Sequence, residues 1–199
     1  AKEGIHVEQN LIGEKVGSQD QTAVAFGGFN KILFGKKNEI DVISISVPEK
    51  RRDELDDNLM LVFTGFSRIA PEIVGEQIKN IPKKKEELNK MRQMVDEAEK
   101  ILESGSLDDF GRLLHETWQI KRGLSTKITN YQIDEIYDIA MKEGALGGKL
   151  LGAGAGGFML FYAKPETQQK IKKKLSKLIH VPFKFEGDGS KIINDSRDI

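Results

Sequence analysis

Apolar residues occur in two kinds of run along this chain. Short runs rich in β-branched and aromatic residues predict strands at 29–34 and 40–47, and the continuous apolar run Leu59–Phe63 predicts a strand buried on both faces. Longer segments place apolar residues at helical spacing and predict four helices. These helices cover 70–80, 83–104, 107–122 and 130–143.

The two ends of the chain add further elements. Residues 1–14 predict the end of a helix, and the charged stretch 48–57 predicts a loop. After the four helices, two strands flank a glycine-rich segment, a lysine-rich helix covers 166–179, and a last strand covers 181–185. Strands and helices do not alternate regularly, so the pattern predicts an α+β fold and disfavours a doubly wound sheet.

Composition narrows the class of protein. The 31 basic and 31 acidic residues balance, which leaves no basic footprint for nucleic acid. No apolar run approaches the roughly 18 residues of a membrane span. The chain has no cysteine and three scattered histidines, so we predict no disulfide, no thiol chemistry and no metal site. A cytoplasmic protein with a small-molecule partner fits best, and a homodimer stays open.

The densest chemical signal is a cluster of six glycines in the eleven positions from Gly147 to Gly157. Glycine weakens strands and costs backbone entropy, so such a cluster between two apolar runs indicates turns with φ > 0 or a close approach to a ligand. Successive backbone N–H groups there could form a nest for an anion. The alternative is a tight hairpin whose glycines relieve crowding against a neighbouring helix, and both roles can coexist.

The cluster does not match the familiar phosphate loops. Gly152, Gly154 and Gly157 satisfy G-x-G-x-x-G, but a strand-like run follows where a dinucleotide fold requires a helix. A Walker A loop would need glycine where Glu143 stands. A protein kinase would place its glycine loop before D-F-G, whereas Asp109-Phe110-Gly111 comes first here.

Two segments resemble the GHMP family of small-molecule kinases. Gly148–Phe158 looks like the third motif of that family, and Gly17–Gln21 followed by Ala25–Phe29 looks like the segment that carries the acidic residue of its phosphoryl-transfer site. Within the family, the stretches 63–68 and 114–125 resemble the sugar-1-kinases that act on a heptose 7-phosphate.

The resemblance implies a domain organisation. Residues 1–55 would be the remainder of the GHMP N-terminal domain, which is ribosomal protein S5 domain 2-like, and residues 56–199 would be a two-layer, ferredoxin-like C-terminal domain. The family's ATP-binding loop and a substrate arginine lie upstream of everything present here. We therefore expect this chain to be the C-terminal part of a kinase and to be inactive alone, with ATP and Mg²⁺ bound mainly by residues outside it.

The resemblance also implies roles for particular residues. Asp20 would accept the proton of the anomeric hydroxyl or orient that hydroxyl, and Ser18 and Gln19 would bind the substrate. The alternative for Asp20 is a helix cap near Thr22. The glycine loop would pack against the absent ATP loop and line the substrate pocket; its residues are Gly152, Ala153, Gly154, Ala155, Gly156 and Gly157.

Arg68 and Lys121 are candidate contacts for the 7-phosphate of the sugar, because guanidinium and ammonium groups suit phosphate. Ordinary solvated charges are the alternative for both. The resemblance thus implies an ATP-dependent sugar kinase that phosphorylates the anomeric hydroxyl of a heptose 7-phosphate. Fucose-, galactose- and mevalonate-type substrates remain alternatives, as does a non-catalytic module that kept the fold.

Overall fold

The computed structural model describes residues 1–14, 16–36, 39–66 and 70–193. The chain forms two compact units. The first comprises Ala1–Ser46 together with the chain from Phe185 onward, and the second comprises Val47–Lys184. The predicted domain boundary after residue 55 stays a prediction.

The first unit begins with helical turns, as the sequence predicted. Helix α1 (Lys2–His6) continues as a π-helical stretch over Val7–Ile12, which ends at Gly13 with φ of 76°. A left-handed residue of this kind ends a helix at little cost when it is glycine. Helix α2 (Gln19–Phe26) follows after a short loop and carries the candidate acidic residue in its first turn.

A hairpin follows α2. Strands β1 (Asn30–Phe34) and β2 (Ile40–Ser44) pair antiparallel. The segment after Phe185 returns to the end of α2, where Gly28 N–H donates to Glu186 at 2.9 Å and Ser190 N–H donates to Ala25 at 3.2 Å. This unit is therefore held together by residues from both ends of the chain.

The second unit opens with a helix where the sequence predicted a charged loop. Helix α3 (Glu49–Asn58) buries Leu55 to 1% exposure. Arg51 donates from Nε to the carbonyl of Leu102 at 2.7 Å and from Nη2 to that of Ile101 at 2.5 Å. The loop prediction was wrong because one buried leucine and one long-range arginine stabilise a helix that lacks an apolar stripe.

The helices of the second unit lie where their periodicity placed them. Strand β3 (Leu59–Phe63) precedes all four. The helices are α4 (Ala70–Asn80), α5 (Lys85–Glu103), α6 (Leu107–Arg122) and α7 (Tyr131–Lys142).

The remaining elements complete the sheet. They are β4 (Gly147–Leu150), β5 (Phe158–Tyr162), α8 (Pro165–Lys174) and β6 (Ile179–Val181). The predicted helix to residue 179 and strand over 181–185 were therefore placed too late along the chain. Here the last strand is set by pairing, since Ile179 to Val181 lie opposite Phe63 to Leu61.

The sheet has the order β4-β5-β3-β6, and all its neighbouring strands are antiparallel. With α4 to α7 between β3 and β4, and α8 between β5 and β6, the unit repeats the β-α-β-β-α-β succession of the ferredoxin-like fold. The predicted α+β class and ferredoxin-like C-terminal domain are confirmed. The largest fully buried side chains include Trp118, Phe161, Tyr162 and Met159.

A polar network ties three elements together beside this core. The hydroxyl of Tyr162 accepts from Asn58 Nδ2 at 3.1 Å and donates to Asp108 Oδ1 at 3.2 Å. Lys164 Nζ lies 2.8 Å from the same carboxylate oxygen. The hydrogen bond from Lys164 is the main reason that the pKa of Asp108 is lowered, and burial raises the pKa of Tyr162 to about 12.

We expect Asp108→Asn to lower the free energy of unfolding in a pH-dependent way. A carboxyl whose folded pKa is depressed stabilises the fold above its unfolded pKa of about 3.9 and loses that effect as the pH falls through the folded pKa. The difference from wild type should be largest above about pH 5 and should shrink towards about pH 2, as measured by urea unfolding. Asp109→Asn, an exposed neighbour, is the control. Equal losses at all pH values would contradict the prediction.

Candidate active site

The glycine cluster divides into a packed half and a loop half. Gly147, at the start of β4, faces the backbone of α6: a Cβ atom there would lie 1.9 Å from the Gly111 carbonyl oxygen. A Cβ on Gly148 would lie 2.6 Å from the carbonyl oxygen of Leu160. Real Cβ atoms do not approach backbone so closely, so these two glycines relieve crowding in the ferredoxin-like unit.

The loop half, between β4 and β5, adopts left-handed backbone. Gly152, Gly154 and Gly157 have φ of 70°, 132° and 100°, and Ala155 has φ of 59°. Left-handed backbone costs glycine little, whereas a non-glycine residue pays of order 1–3 kcal/mol. Contacts from the surrounding residues must therefore stabilise the left-handed backbone at Ala155.

Three carbonyl groups of the loop are each bound by a side chain from another element. The donors come from α4, from the last turn of α6 and from the N-cap of α7. The hydrogen bonds run from Gln77 Nε2 to Ala153 at 2.8 Å, from Lys121 Nζ to Gly152 at 2.7 Å and from Asn130 Nδ2 to Ala155 at 3.3 Å.

Two amides of the loop are also engaged. The N–H of Ala155 donates to Ile128 at 2.8 Å, and that of Gly157 donates to Phe66 at 2.9 Å. Within the described part of the chain, the other four amides make no hydrogen bond. They belong to Gly152, Ala153, Gly154 and Gly156.

Close packing accounts for two of the loop glycines. A Cβ on Gly154 would lie 2.9 Å from the backbone of Ile128, and one on Gly156 would lie 2.8 Å from the carbonyl oxygen of Phe66. The crowding explanation therefore applies to parts of the loop itself, against neighbouring loop backbone.

Lys121 lies under the beginning of the loop. Its ammonium donates to the carbonyl of Leu150 at 3.1 Å as well as to that of Gly152. Burial lowers the pKa of Lys121 to about 8, and the nearby charge of Lys149 makes a smaller contribution in the same direction. Lys121 is thus more than a solvated charge, while its predicted contact with a substrate phosphate stays a prediction. Arg68, the other predicted contact, lies outside the described residues.

Helix α4 holds the segment 124–128, whose Ile128 carbonyl accepts the hydrogen bond from the Ala155 N–H. Ser125 Oγ donates to Glu76 at 2.6 Å, and Asn80 Nδ2 donates to the carbonyl of Leu124 at 3.0 Å. The hydrogen bond from Ser125 is the main cause of the lowered pKa of Glu76. Helix α4 therefore supports the glycine loop directly through Gln77 and indirectly through Glu76. Sequence reasoning predicted this helix and missed both residues.

In the first unit, Asp20 is an exposed residue in the first turn of α2. The helix begins at Gln19 with Ser18 as its N-cap, so the alternative that Asp20 caps the helix is wrong. Among the residues that the structure describes, the side chain of Asp20 has no hydrogen bond or ion pair. A carboxylate at this position is favoured by the helix dipole and is available to a ligand.

Ser18 and Gln19 line a cavity of about 700 Å³ in the same unit. Ser18 is held from two sides: Gln9 Nε2 donates to its hydroxyl at 3.2 Å, and the buried Thr22 donates to its carbonyl at 2.7 Å. Other side chains on the cavity wall include Lys2, His6, Asn10 and Phe34, which the sequence did not single out.

Metal-ligating side chains are dispersed in the described residues. No group of three or more His, Cys, Asp or Glu residues comes together within them. Over the same residues, no helix combines the length and apolar character that crossing a bilayer requires.

The fold and the loop agree with a family-level match. Residues 94–180 match the family described as GHMP kinases C terminal, a stretch that includes the whole glycine loop and three of the four strands in part or in full. This stretch is therefore a GHMP kinase C-terminal domain, as the sequence predicted.

Individual relatives narrow the comparison. The chain is 33% identical over 180 residues to the D-glycero-alpha-D-manno-heptose 7-phosphate kinase of Campylobacter jejuni, which covers 89% of this chain and 53% of that protein. It is 27% identical over 209 residues to a galactokinase of Thermotoga neapolitana, covering 90% of this chain and 58% of the galactokinase.

A solved structure resembles this chain along almost its whole length. The crystal structure of a D-glycero-D-manno-heptose 1-phosphate kinase from Bacteroides thetaiotaomicron superposes with a TM-score of 0.67 and 26% identity, covering 97% of this chain and 55% of that one. The chain thus spans between one half and three fifths of the length of these relatives.

Proposed function

We propose that the whole protein is an ATP-dependent sugar kinase that phosphorylates the anomeric hydroxyl of a heptose 7-phosphate and yields the 1,7-bisphosphate. The observation that carries phosphoryl transfer is the glycine loop, in which the amides of Ala153, Gly154 and Gly156 have no hydrogen-bond partner among the described residues. The sugar is supported by likeness to heptose kinases along nearly all of the chain.

The loop residues suit contact with a phosphate group. Phosphoryl transfer requires positioning and neutralisation of charge more than covalent chemistry, and backbone N–H groups supply both to phosphate oxygens. In this proposal the amides of Ala153, Gly154 and Gly156 donate to a phosphate oxygen of the nucleotide or of the sugar. Their geometry is set before a ligand arrives, which reduces the cost of reorganisation.

Asp20 suits the sugar hydroxyl. An exposed carboxylate that has no partner among the described residues can accept the proton of the anomeric hydroxyl as that oxygen attacks, or it can hold the hydroxyl in place by a hydrogen bond. Ser18 and Gln19 precede Asp20 in the sequence and lie on the wall of the cavity. They supply a hydroxyl and an amide for the other oxygens of the sugar.

Mg²⁺ accompanies ATP in most phosphoryl transfers. The described residues bring no set of three metal-ligating side chains together, so they do not by themselves fit a complete magnesium site. We assign no step to the metal.

An assay of the whole protein tests this function. With ATP and Mg²⁺, we expect release of ADP with a heptose 7-phosphate and a new anomeric phosphate signal in ³¹P NMR. The ratio kcat/KM should exceed that for galactose, fucose or mevalonate by about 100-fold, because a site built for a phosphate rejects ligands that lack one. A higher ratio for galactose would favour a galactokinase. Absence of turnover with all four would favour a non-catalytic module.

A further inference from the structure

The orientation of the loop amides follows from the carbonyl contacts. A peptide unit is planar and trans, so its C=O and its N–H point in opposite directions. The carbonyls of Gly152, Ala153 and Ala155 point at side-chain donors. In each case the N–H of the next residue must therefore point away from that donor.

Each donor is held by its own element. Lys121 also binds the carbonyl of Leu150. The N–H of Leu151 donates to Phe158 in β5. The carbonyl of Leu150 belongs to the same peptide unit and points the opposite way, so it faces out from the edge strand β4. Lys121 thus binds a carbonyl at the edge of the sheet and a carbonyl of the loop with the same ammonium group.

The other two donors are equally constrained. Asn130 accepts a hydrogen bond from Ile133 N–H at 3.0 Å as the N-cap of α7, so its amide has a fixed direction. Gln77 lies on α4, whose neighbouring residue Glu76 is tied to Ser125. Side chains on rigid elements position a site more closely than side chains on loops do.

We propose that Gln77, Lys121 and Asn130 are positioning residues that turn the amides of Ala153, Gly154 and Gly156 away from these side chains, to form an anion-binding nest for a phosphate group. The identification of the ligand as phosphate rests on the proposed function. Glycine-rich backbone can flip a peptide at little cost, so the loop sequence alone does not choose which peptide face is open. The three side chains make that choice.

The amides can be observed directly in the 199-residue chain. In ¹⁵N-¹H NMR, titration with inorganic phosphate should shift the resonances of Ala153, Gly154 and Gly156. Separate titrations with ADP and with a sugar phosphate distinguish a nucleotide phosphate from a sugar phosphate as the natural ligand. Without any ligand, the amides of the partly exposed Ala153 and Gly156 should exchange with solvent faster than those of Ala155 and Gly157, which are hydrogen-bonded.

Substitutions test the positioning role. Gln77→Glu keeps the shape of the side chain but removes the donor to Ala153, and we expect the dissociation constant for phosphate to rise about 10-fold, with the largest change in response at Gly154. Lys121→Met should have its largest effect at Ala153. Lys121→Arg, which restores a donor, should recover part of the binding.

Gln168→Leu is the matched control. Gln168 donates to the carbonyls of Asp57 and Ala163 in the same unit, so its loss removes a similar backbone contact away from the loop. It should leave phosphate binding unchanged.

Several outcomes would overturn the proposal. These are wild-type shifts that avoid the three amides, phosphate binding by Gln77→Glu equal to wild type, and equal losses in Gln168→Leu. If Gln77→Glu does not fold, Gln77→Leu and the exchange pattern of the wild-type amides decide the matter. The kinase assay can fail while this nest binds phosphate, and the nest can fail while the whole protein turns over, so the two proposals are separable.

Discussion

Gly147→Ala is expected to lower the free energy of unfolding of the second unit by about 3 kcal/mol, at the upper end of the usual cost of overpacking. The new Cβ would lie 1.9 Å from the Gly111 carbonyl oxygen and 2.7 Å from the His115 backbone nitrogen. Both atoms belong to the backbone of α6, which cannot rotate away as a flexible side chain would. Urea unfolding followed by the fluorescence of Trp118, the single tryptophan, measures the change.

Gly75→Ala is the control for this substitution. Gly75 lies inside α4 without positive φ, and a Cβ there meets nothing within 4 Å. Alanine is favoured over glycine in a helix interior by about 1 kcal/mol, so this variant should be as stable as wild type or more stable. A Gly147→Ala protein with wild-type stability would show that α6 does not pack on β4 in this way.

The packing at Gly147 matters for the loop because α6 also carries Lys121. Gly147 and Gly111 allow the helix to lie against β4. In the last turn of that helix, the Lys121 ammonium donates to the carbonyls of Leu150 and Gly152. A displaced α6 would withdraw that ammonium from the loop. Gly147→Ala should therefore disturb the amide resonance of Ala153, even where the unit remains folded.

Sequence reasoning found the glycine cluster but could not divide its roles. Apolar residues at helical spacing located α4 to α7, and continuous apolar runs located β3 and β5. It missed α3, whose stability depends on Arg51 reaching Leu102 across the fold. Long-range contacts of this kind leave no local signal.

The same limit applies to the candidate site. The cluster 147–157 was identified from glycine content, yet only coordinates separate Gly147, which packs on a helix, from Gly152, which has open space around it. Gln77 lies 76 residues before the carbonyl that it binds, and nothing in its sequence neighbourhood marks it. Asp20, in contrast, is a candidate because of its motif, and the structure shows that Ser18, not Asp20, is the N-cap of α2.

Asp20→Asn in the whole protein is expected to lower kcat by about 1,000-fold, within the usual range for loss of a general base. Asparagine keeps the shape and can accept a hydrogen bond, but it cannot take a proton at neutral pH. The KM values for sugar and ATP should change little, because the interaction is lost mainly in the transition state. Steady-state release of ADP with the heptose 7-phosphate measures both constants.

Two comparisons make this result interpretable. Asp41→Asn removes another exposed carboxylate of the same unit and should leave kcat unchanged. Since the Asp20 side chain is exposed and has no hydrogen bond or ion pair in the described structure, its loss should not lower the melting temperature, so lost activity would not reflect unfolding.

The size of the loss in kcat then separates the two chemical roles of Asp20. If the carboxylate accepts the proton, asparagine cannot replace it, and the full loss of about 1,000-fold is expected. If it only orients the hydroxyl, asparagine can still hold that hydroxyl, and kcat should fall by about 10-fold, the worth of one hydrogen bond to a charged group. A kcat within twofold of wild type would remove Asp20 from the mechanism altogether, since neither role survives loss of the charge without a measurable cost.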